Sequence, residues 1–120
     1  MADANTTVAT LRDAMRRFVA ERDWEQFHSP KNLVMGLAVE AAELMEHFLW
    51  VENQVSRQVV DDKATLGDAA DEMADVACYL LALCNALGID LSDAIQGKLI
   101  KNALKYPVEK CRGRYRVDSP

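Results

Sequence analysis

Two long stretches of the chain place apolar residues on nearly every side of a predicted helix. The first runs from Pro30 to Glu52, where Ser29 is suited to the N-cap and proline fits the first helical position. The second runs from Asp68 to Leu87 and precedes Gly88, a residue typical of the position just beyond a helix C-terminus. Helices that are apolar all round are buried in globular proteins. The pattern therefore predicts two core helices.

Two further helices flank this pair. From Thr7 to Glu21, apolar residues recur at helical spacing and the arginines lie largely on other faces, which indicates an amphipathic helix. A last helix is predicted from Leu91 to Tyr106, with Asp90 as its N-cap and Pro107 limiting its end. The fold class is therefore all-α, a bundle of four main helices.

Composition agrees with this fold class. Apolar residues make up 50% of the chain and aromatic residues 7%, which indicates a mostly aliphatic core. Five glycines and three prolines are too few for a β-rich chain with many turns. We expect one domain over residues 1–120, with a polar loop or loose helical turn at 53–66. Residues 1–6 and 111–120 are expected to be flexible tails.

The apolar helices carry acidic residues where a core helix would have none. Glu40 and Glu43 are three residues apart in the first helix, and Glu72 and Asp75 have the same spacing in the second. Side chains at this spacing project from the same helix face. A buried carboxylate needs a proton, a basic partner or a metal ion. We therefore predict one shared cation site, and hard oxygen ligands favour Mg²⁺ or Mn²⁺.

Two alternatives to this site remain open. The carboxylates could form structural ion pairs with basic residues, which would make the protein a non-catalytic helical interaction module. They could also form a di-iron or di-manganese carboxylate site, which typically uses Glu-x-x-His on two helices. His47 lies four residues after Glu43 and the second helix has no equivalent histidine, so the di-iron pattern fits less well.

An aromatic segment precedes the first core helix. Trp24, Phe27 and His28 fall within five residues of the link between helices. These rings could cover one end of the bundle, or they could form a stacking surface for a flat ligand such as a nucleobase.

Basic residues near the C-terminus allow two interpretations. One face of the last helix carries Lys98, Lys101, Asn102 and Lys105, and the tail carries Lys110, Arg112, Arg114 and Arg116. Such a face is either a solvated basic stripe or a clamp for phosphate groups. A Mg²⁺ site with aromatic rings and lysines nearby suggests nucleotide phosphate chemistry.

Charge and cysteine content exclude other classes of protein. The net charge of −5 argues against binding a nucleic-acid polymer. The three cysteines, Cys78, Cys84 and Cys111, show neither a disulfide framework nor zinc-ligand spacing, which suits the cytoplasm. No apolar run reaches about 18 residues without a charge, so we expect no membrane span.

Four motifs carry a family resemblance: DWEQFHSPKNL at 23–33, EAAELMEHFLW at 40–50, DEMADVACYLLAL at 71–83 and KNALKYPVEK at 101–110. In this order they resemble the all-α NTP pyrophosphohydrolases, the MazG-like group, and within it the dCTP-pyrophosphatase-like branch. Two positions depart from the family pattern. Val39 stands where the MazG type has an extra Glu, and Ile100 stands where dCTP-specific relatives carry an acidic residue. The preferred base therefore stays open.

The resemblance implies a Mg²⁺-dependent enzyme that hydrolyses a nucleoside triphosphate to the monophosphate and pyrophosphate. It implies a homodimer or a homotetramer, as a dimer of dimers, with pockets built from more than one subunit. It assigns the metal to Glu40, Glu43, Glu72 and Asp75, catalysis to Glu43 and Glu40, the nucleotide pocket to Trp24, His28, Trp50 and Tyr79, and phosphate binding to Lys98, Asn102 and Tyr106.

Overall fold

The computed structural model describes residues 1–115, and over that range the chain forms helices and no strand. The α-helices are α1 (Val8–Glu21), α2 (Pro30–Glu46), α3 (Asn53–Ser56), α4 (Lys63–Leu87), α5 (Leu91–Lys105) and α6 (Val108–Cys111). Short 3₁₀ turns lie at Asp3–Asn5, Glu25–Phe27 and Val59–Asp61. The predicted all-α class, with four long helices, is confirmed.

Each long helix begins at a side chain that accepts a hydrogen bond from the backbone N–H three residues on. These N-caps are Thr7, Ser29, Asp62 and Asp90, with donor–acceptor distances of 3.1, 3.2, 3.3 and 2.9 Å. Such a bond satisfies one of the four N–H groups that the first helical turn leaves without a partner. At the other end of α4, Gly88 adopts φ +66°, a left-handed conformation that glycine adopts without steric cost.

The first core helix is shorter than predicted. It ends at Glu46 and not at Glu52. Beyond it the chain makes tight turns, with the N–H of His47 bonded to the carbonyl of Leu44 at 3.2 Å and that of Phe48 to Met45 at 2.9 Å. These are bonds over three residues, typical of a tightened helix end. No glycine or proline occurs between Glu46 and Glu52, so no helix-terminating residue marks this end.

The second core helix is longer than predicted. It begins at Lys63 and not at Asp68, because Asp62 caps it. The Asp62 carboxylate accepts from the backbone N–H of Thr65 at 3.3 Å and from its hydroxyl at 2.7 Å. The preceding segment, predicted as a loop or loose turn, forms the short helix α3 and a 3₁₀ turn.

Residues 1–88 form one compact unit. Within it α4 packs against both α2 and α1. Its core is small and aliphatic, and consists of Leu33, which is only 1% exposed, together with Val19, Ala69, Leu81, Ala82 and Cys84. Because α4 packs against α2, acidic residues of both helices meet inside this unit.

A second unit begins at Ile89 and contains α5 and α6. Apolar side chains of α5 are exposed, from Ile95 at 50% to Leu104 at 80%. The prediction of a single domain stays a prediction, and so does the prediction of flexible tails, of which residues 116–120, including Arg116, lie outside the described range.

Among the described residues, no single helix is both long and apolar enough to cross a membrane, although α4 and α5 taken together would meet that criterion of length and composition.

Candidate active site

Three carboxylates converge between the two core helices. Glu40 and Glu43 of α2 and Glu72 of α4 each place one oxygen within 4.8 Å of the others. We call these three residues the carboxylate cluster. Two ligands on opposite sides of a Mg²⁺ ion lie about 4.2 Å apart, since each Mg–O distance is about 2.1 Å. The cluster therefore has dimensions close to those that a small divalent cation requires.

Two oxygens of the cluster have no hydrogen-bond partner among residues 1–115. Glu40 Oε2 and Glu72 Oε2 are buried and accept no hydrogen bond. Leaving a buried acceptor unpaired destabilises a folded protein, so such atoms indicate a missing ligand. Burial, and then the neighbouring Glu43, raise the pKa of Glu40 to about 7. The same two causes raise the pKa of Glu72.

Asp75 lies beside the carboxylate cluster. Its charge contributes to the raised pKa values of Glu40 and Glu72. It is not among the three residues whose oxygens lie closest together. The structure thus brings Asp75 to the site and leaves its predicted role as a ligand untested.

His47 contacts the cluster from the turn after α2. Its Nε2 atom lies 3.8 Å from Glu72 Oε1. Sequence reasoning considered His47 only in relation to Glu43, four residues earlier, and did not include it in the site. The sequence predicted that the two helices share a site, but it did not mark their register, which places the turn after α2 beside Glu72.

The donor set fits a hard cation. All ligand atoms of the carboxylate cluster are oxygens, as Mg²⁺ and Mn²⁺ prefer. Cys78 shares a cavity wall with Glu40, but burial raises the pKa of its thiol. A thiol binds metal as the thiolate, so this residue is a poor ligand.

An open cavity of about 230 Å³ adjoins the carboxylates. Its wall includes Glu40 and Asp75 together with Trp24, His28 and Tyr79. Aromatic faces next to a cation site can hold a flat ring on one side and charged groups on the other. Three of the four residues predicted for a nucleotide pocket therefore lie around one cavity, within reach of the acidic residues.

The chain after α1 brings Trp24 to this cavity. Asp23 adopts φ +53°, a left-handed conformation that aspartate tolerates better than most residues. The turn is closed by the N–H of Trp24, which donates to the carbonyl of Val19 at 3.0 Å. The Trp24 ring then packs edge-on against Phe18, with ring centroids 5.8 Å apart. Trp24 is 44% exposed, so it covers the end of α1 and also faces the cavity.

Four other predicted site residues are not among those that line this cavity of the first unit. Trp50 lies in the turn after α2 and is 90% exposed. Lys98, Asn102 and Tyr106 belong to α5 and its C-terminal cap, in the second unit. Their predicted roles stay predictions.

Comparisons with known proteins place these features in a family. The model of the MazG-like family matches residues 36–115. The dCTP pyrophosphatase 1 of Bos taurus is 36% identical over 107 residues, which are 89% of this chain and 63% of that protein. The human dCTP pyrophosphatase 1 is 34% identical over 110 residues, which are 92% of this chain and 65% of that protein. This chain thus spans less than two thirds of the length of these relatives.

A solved structure shares the fold. The crystal structure of a pyrophosphatase from Archaeoglobus fulgidus matches with a TM-score of 0.78 and 34% sequence identity, over 89% of this chain and 98% of that chain. The resemblance identified from the four motifs is therefore confirmed. The chain belongs to the MazG-like family.

Proposed function

We propose that this protein is a Mg²⁺-dependent nucleoside triphosphate pyrophosphohydrolase, which converts a (d)NTP and water to the monophosphate and pyrophosphate. The observation that carries the proposal is the carboxylate cluster, with two orphaned oxygens, beside a cavity with aromatic walls. The names of its relatives in both comparisons support the same reaction class.

The acidic residues have two proposed roles, metal binding and catalysis, and Glu40 and Glu43 take part in both. Glu40, Glu43, Glu72 and Asp75 would hold Mg²⁺, with Mn²⁺ as a possible substitute. A bound divalent cation neutralises phosphate charge and lowers the pKa of a bound water. Glu40 and Glu43 are the catalytic pair, and one of their carboxylates accepts the proton of the attacking water. Hydrolysis breaks the bond between the α-phosphorus and the oxygen that bridges it to the β-phosphate.

The cavity receives the base of the nucleotide. Trp24 and Tyr79 offer aromatic faces for stacking, and His28 offers ring nitrogens for hydrogen bonds to the base. Because Glu40 and Asp75 belong to the same wall, a base bound there has its phosphates directed toward the carboxylates.

Four further residues are proposed for nucleotide binding. Lys98, Asn102 and Tyr106 are proposed to bind the phosphates, and Trp50 to close the pocket. A homodimer, or a homotetramer built as a dimer of dimers, would bring these residues together. The exposed apolar side chains of α2 support such an assembly, since Val34, Met35 and Val39 are each more than half exposed. We place the enzyme in the cytoplasm, without a nucleic-acid polymer or a membrane as partner.

The first substrate to test is dCTP, because the relatives of known name are dCTP pyrophosphatases. A role in removing surplus or modified dNTPs from the nucleotide pool follows from that substrate class.

The test is to incubate the purified protein with each common dNTP and NTP plus Mg²⁺ and to resolve the products. Monophosphate plus pyrophosphate is the expected result, and it ranks the bases at once. Diphosphate plus phosphate would contradict the proposed bond cleavage. No product from any nucleotide, with Mn²⁺ also tried, would contradict the proposal and favour the non-catalytic interaction module.

A further inference from the structure

At Gly36 the backbone of α2 comes very close to the Tyr79 side chain of α4. A Cβ atom added to Gly36 would lie 2.6 Å from Cζ and 2.9 Å from Cδ1 of Tyr79, with Cε1 nearer still. Real Cβ atoms do not approach other heavy atoms this closely, so a side chain at this position would displace the ring or separate the helices. The ring of Tyr79 thus rests on the bare backbone of α2.

Tyr79 stands between two cavities. It belongs to the wall of the 230 Å³ cavity beside the carboxylates, and to the wall of a neighbouring cavity of about 240 Å³. Trp24 and His28 also contact both cavities. The 230 Å³ cavity has wall residues from α1 and the neighbouring cavity has none, so a Tyr79 ring displaced from α2 toward α1 would narrow the 230 Å³ cavity.

A glycine in a helix interior is less stable than alanine, so its presence at position 36 is not explained by helix formation. Gly67 in α4 shows the contrast. A Cβ atom added there meets nothing within 4 Å. The two glycines are both helical, and only Gly36 is in contact with a residue of the cavity wall.

We propose that Gly36 is a positioning residue that sets the width of the base pocket by seating the Tyr79 ring against α2. The inference rests on the proposed function, since it takes the cavity as the site of the base. Purine nucleotides should depend most on this pocket width, because a two-ring base needs a wider pocket than a one-ring base.

The test compares Gly36→Ala with Gly67→Ala, which adds the same methyl group to a helix where there is space. Gly36→Ala should raise KM for dATP and dGTP by about tenfold or more, and for dCTP and dTTP by less, because the pocket loses space. Since the carboxylates are unchanged, kcat for dCTP and dTTP should stay near the wild-type value. The rise in Tm that Mg²⁺ induces should also stay near wild type. Gly67→Ala should leave KM unchanged for all four nucleotides.

A double-mutant cycle separates ring displacement from a general effect of the added methyl group. Gly36→Ala should still raise KM in the Tyr79→Phe background, because Phe keeps the ring atoms that lie near Gly36. In the Tyr79→Ala background it should have no further effect. The proposal would be overturned if Gly36→Ala raised KM equally in the wild-type and Tyr79→Ala backgrounds. It would also be overturned if Gly36→Ala and Gly67→Ala had the same KM values.

A readout that needs no activity keeps this test independent of the proposed function. Tyr79 is one of three tyrosines, so protein labelled with ¹³C at tyrosine Cε gives few ring signals, and the signal lost in Tyr79→Phe identifies Tyr79. Gly36→Ala should shift that signal and Gly67→Ala should not. An unshifted signal would overturn the seating of the ring, whereas a shifted signal in a protein without nucleotide hydrolysis would contradict only the proposed function.

Discussion

Two polar clusters connect α4 to its neighbours, and they differ in whether their polar atoms have partners. The first, on the α1 side, consists of Arg12, Arg16 and Asn85, and we call it the arginine–asparagine cluster. The Asn85 side-chain oxygen accepts from Arg12 Nε at 3.0 Å and from Arg16 Nη2 at 2.9 Å. The Asn85 amide donates to the backbone carbonyl of Arg12 at 3.1 Å.

The second, on the α2 side, is the carboxylate cluster. There Glu40 and Glu72 each keep a buried oxygen without a hydrogen bond, and the pKa of Glu40 is raised to about 7, first by burial and then by Glu43. The arginine–asparagine cluster is satisfied by the protein itself, so its role is to join helices. In the carboxylate cluster, two oxygens are left unsatisfied by the described part of the chain. Unpaired polar atoms, and not the number of charges, distinguish the proposed metal site from a cluster that joins helices.

The largest expected difference between the clusters is in catalysis. Glu43→Gln should lower kcat/KM by about 100-fold or more, because it removes a charge from the catalytic pair while keeping the shape of the side chain. Glu46→Gln is the matched control, since Glu46 is exposed at the last position of the same helix. Steady-state kinetics, with circular dichroism to confirm the helices, would check this result. Full activity of Glu43→Gln would remove Glu43 from the site.

Metal binding should distinguish the clusters almost as strongly. Mg²⁺ at about 100 times its Kd should stabilise the wild-type protein by about 2.7 kcal/mol, which raises Tm by several degrees. Glu72→Gln should abolish that rise, whereas Asn85→Ala should keep it. Thermal melts at one fixed protein concentration would check both. A Mg²⁺ response that survives Glu72→Gln would place the cation elsewhere.

The structural cluster should affect stability and not turnover. Asn85→Ala removes hydrogen bonds to two guanidinium groups and should lower the free energy of unfolding by about 1–2 kcal/mol, because those groups keep partial access to water. Its kcat/KM at a temperature well below its Tm should stay close to wild type. Urea unfolding and kinetics would check this pair of results. Lost activity with unchanged stability would show that Asn85 belongs to the site.

The smallest effect concerns pH in the absence of metal. The folded pKa of Glu40, about 7, lies above its ordinary value of 4.5. The folded state therefore holds a proton that the unfolded state releases, so this group stabilises the protein fully below pH 4.5 and loses that contribution as pH rises through about 7. Arginine does not titrate in this range, so the arginine–asparagine cluster should add no such dependence.

Urea midpoints measured in EDTA from pH 5 to pH 8 would test this sign. The metal-free wild type should become less stable as pH rises, and Glu40→Gln should flatten the curve. A wild-type stability that increases over this range would mean that Glu40 is ionised in the metal-free fold.

The sequence predicted the elements of the site better than their surroundings. Helical spacing placed Glu40 with Glu43 and Glu72 with Asp75, because residues three apart share a face whatever the tertiary structure. The capping residues Ser29 and Asp90 marked two helix starts correctly, because capping is a local interaction.

Other features depend on contacts between distant residues, which a local pattern does not encode. Asn85 pairs with Arg12 and Arg16, which are 73 and 69 residues away in the chain. The contact between the Tyr79 ring and the backbone at Gly36 likewise depends on the register in which α2 and α4 pack. Whether a charged residue is satisfied or orphaned is thus a property of the packed structure.

The most direct test of the difference between the two clusters is a titration with Mn²⁺ that follows the free ion by electron paramagnetic resonance. The wild-type protein and Glu46→Gln should bind Mn²⁺ stoichiometrically, and excess Mg²⁺ should displace it. Glu72→Gln should bind at least about tenfold more weakly, since it removes one charged ligand. Stoichiometric binding that is unchanged in Glu72→Gln, or no binding by the wild type, would contradict the assignment of the carboxylate cluster as the metal site.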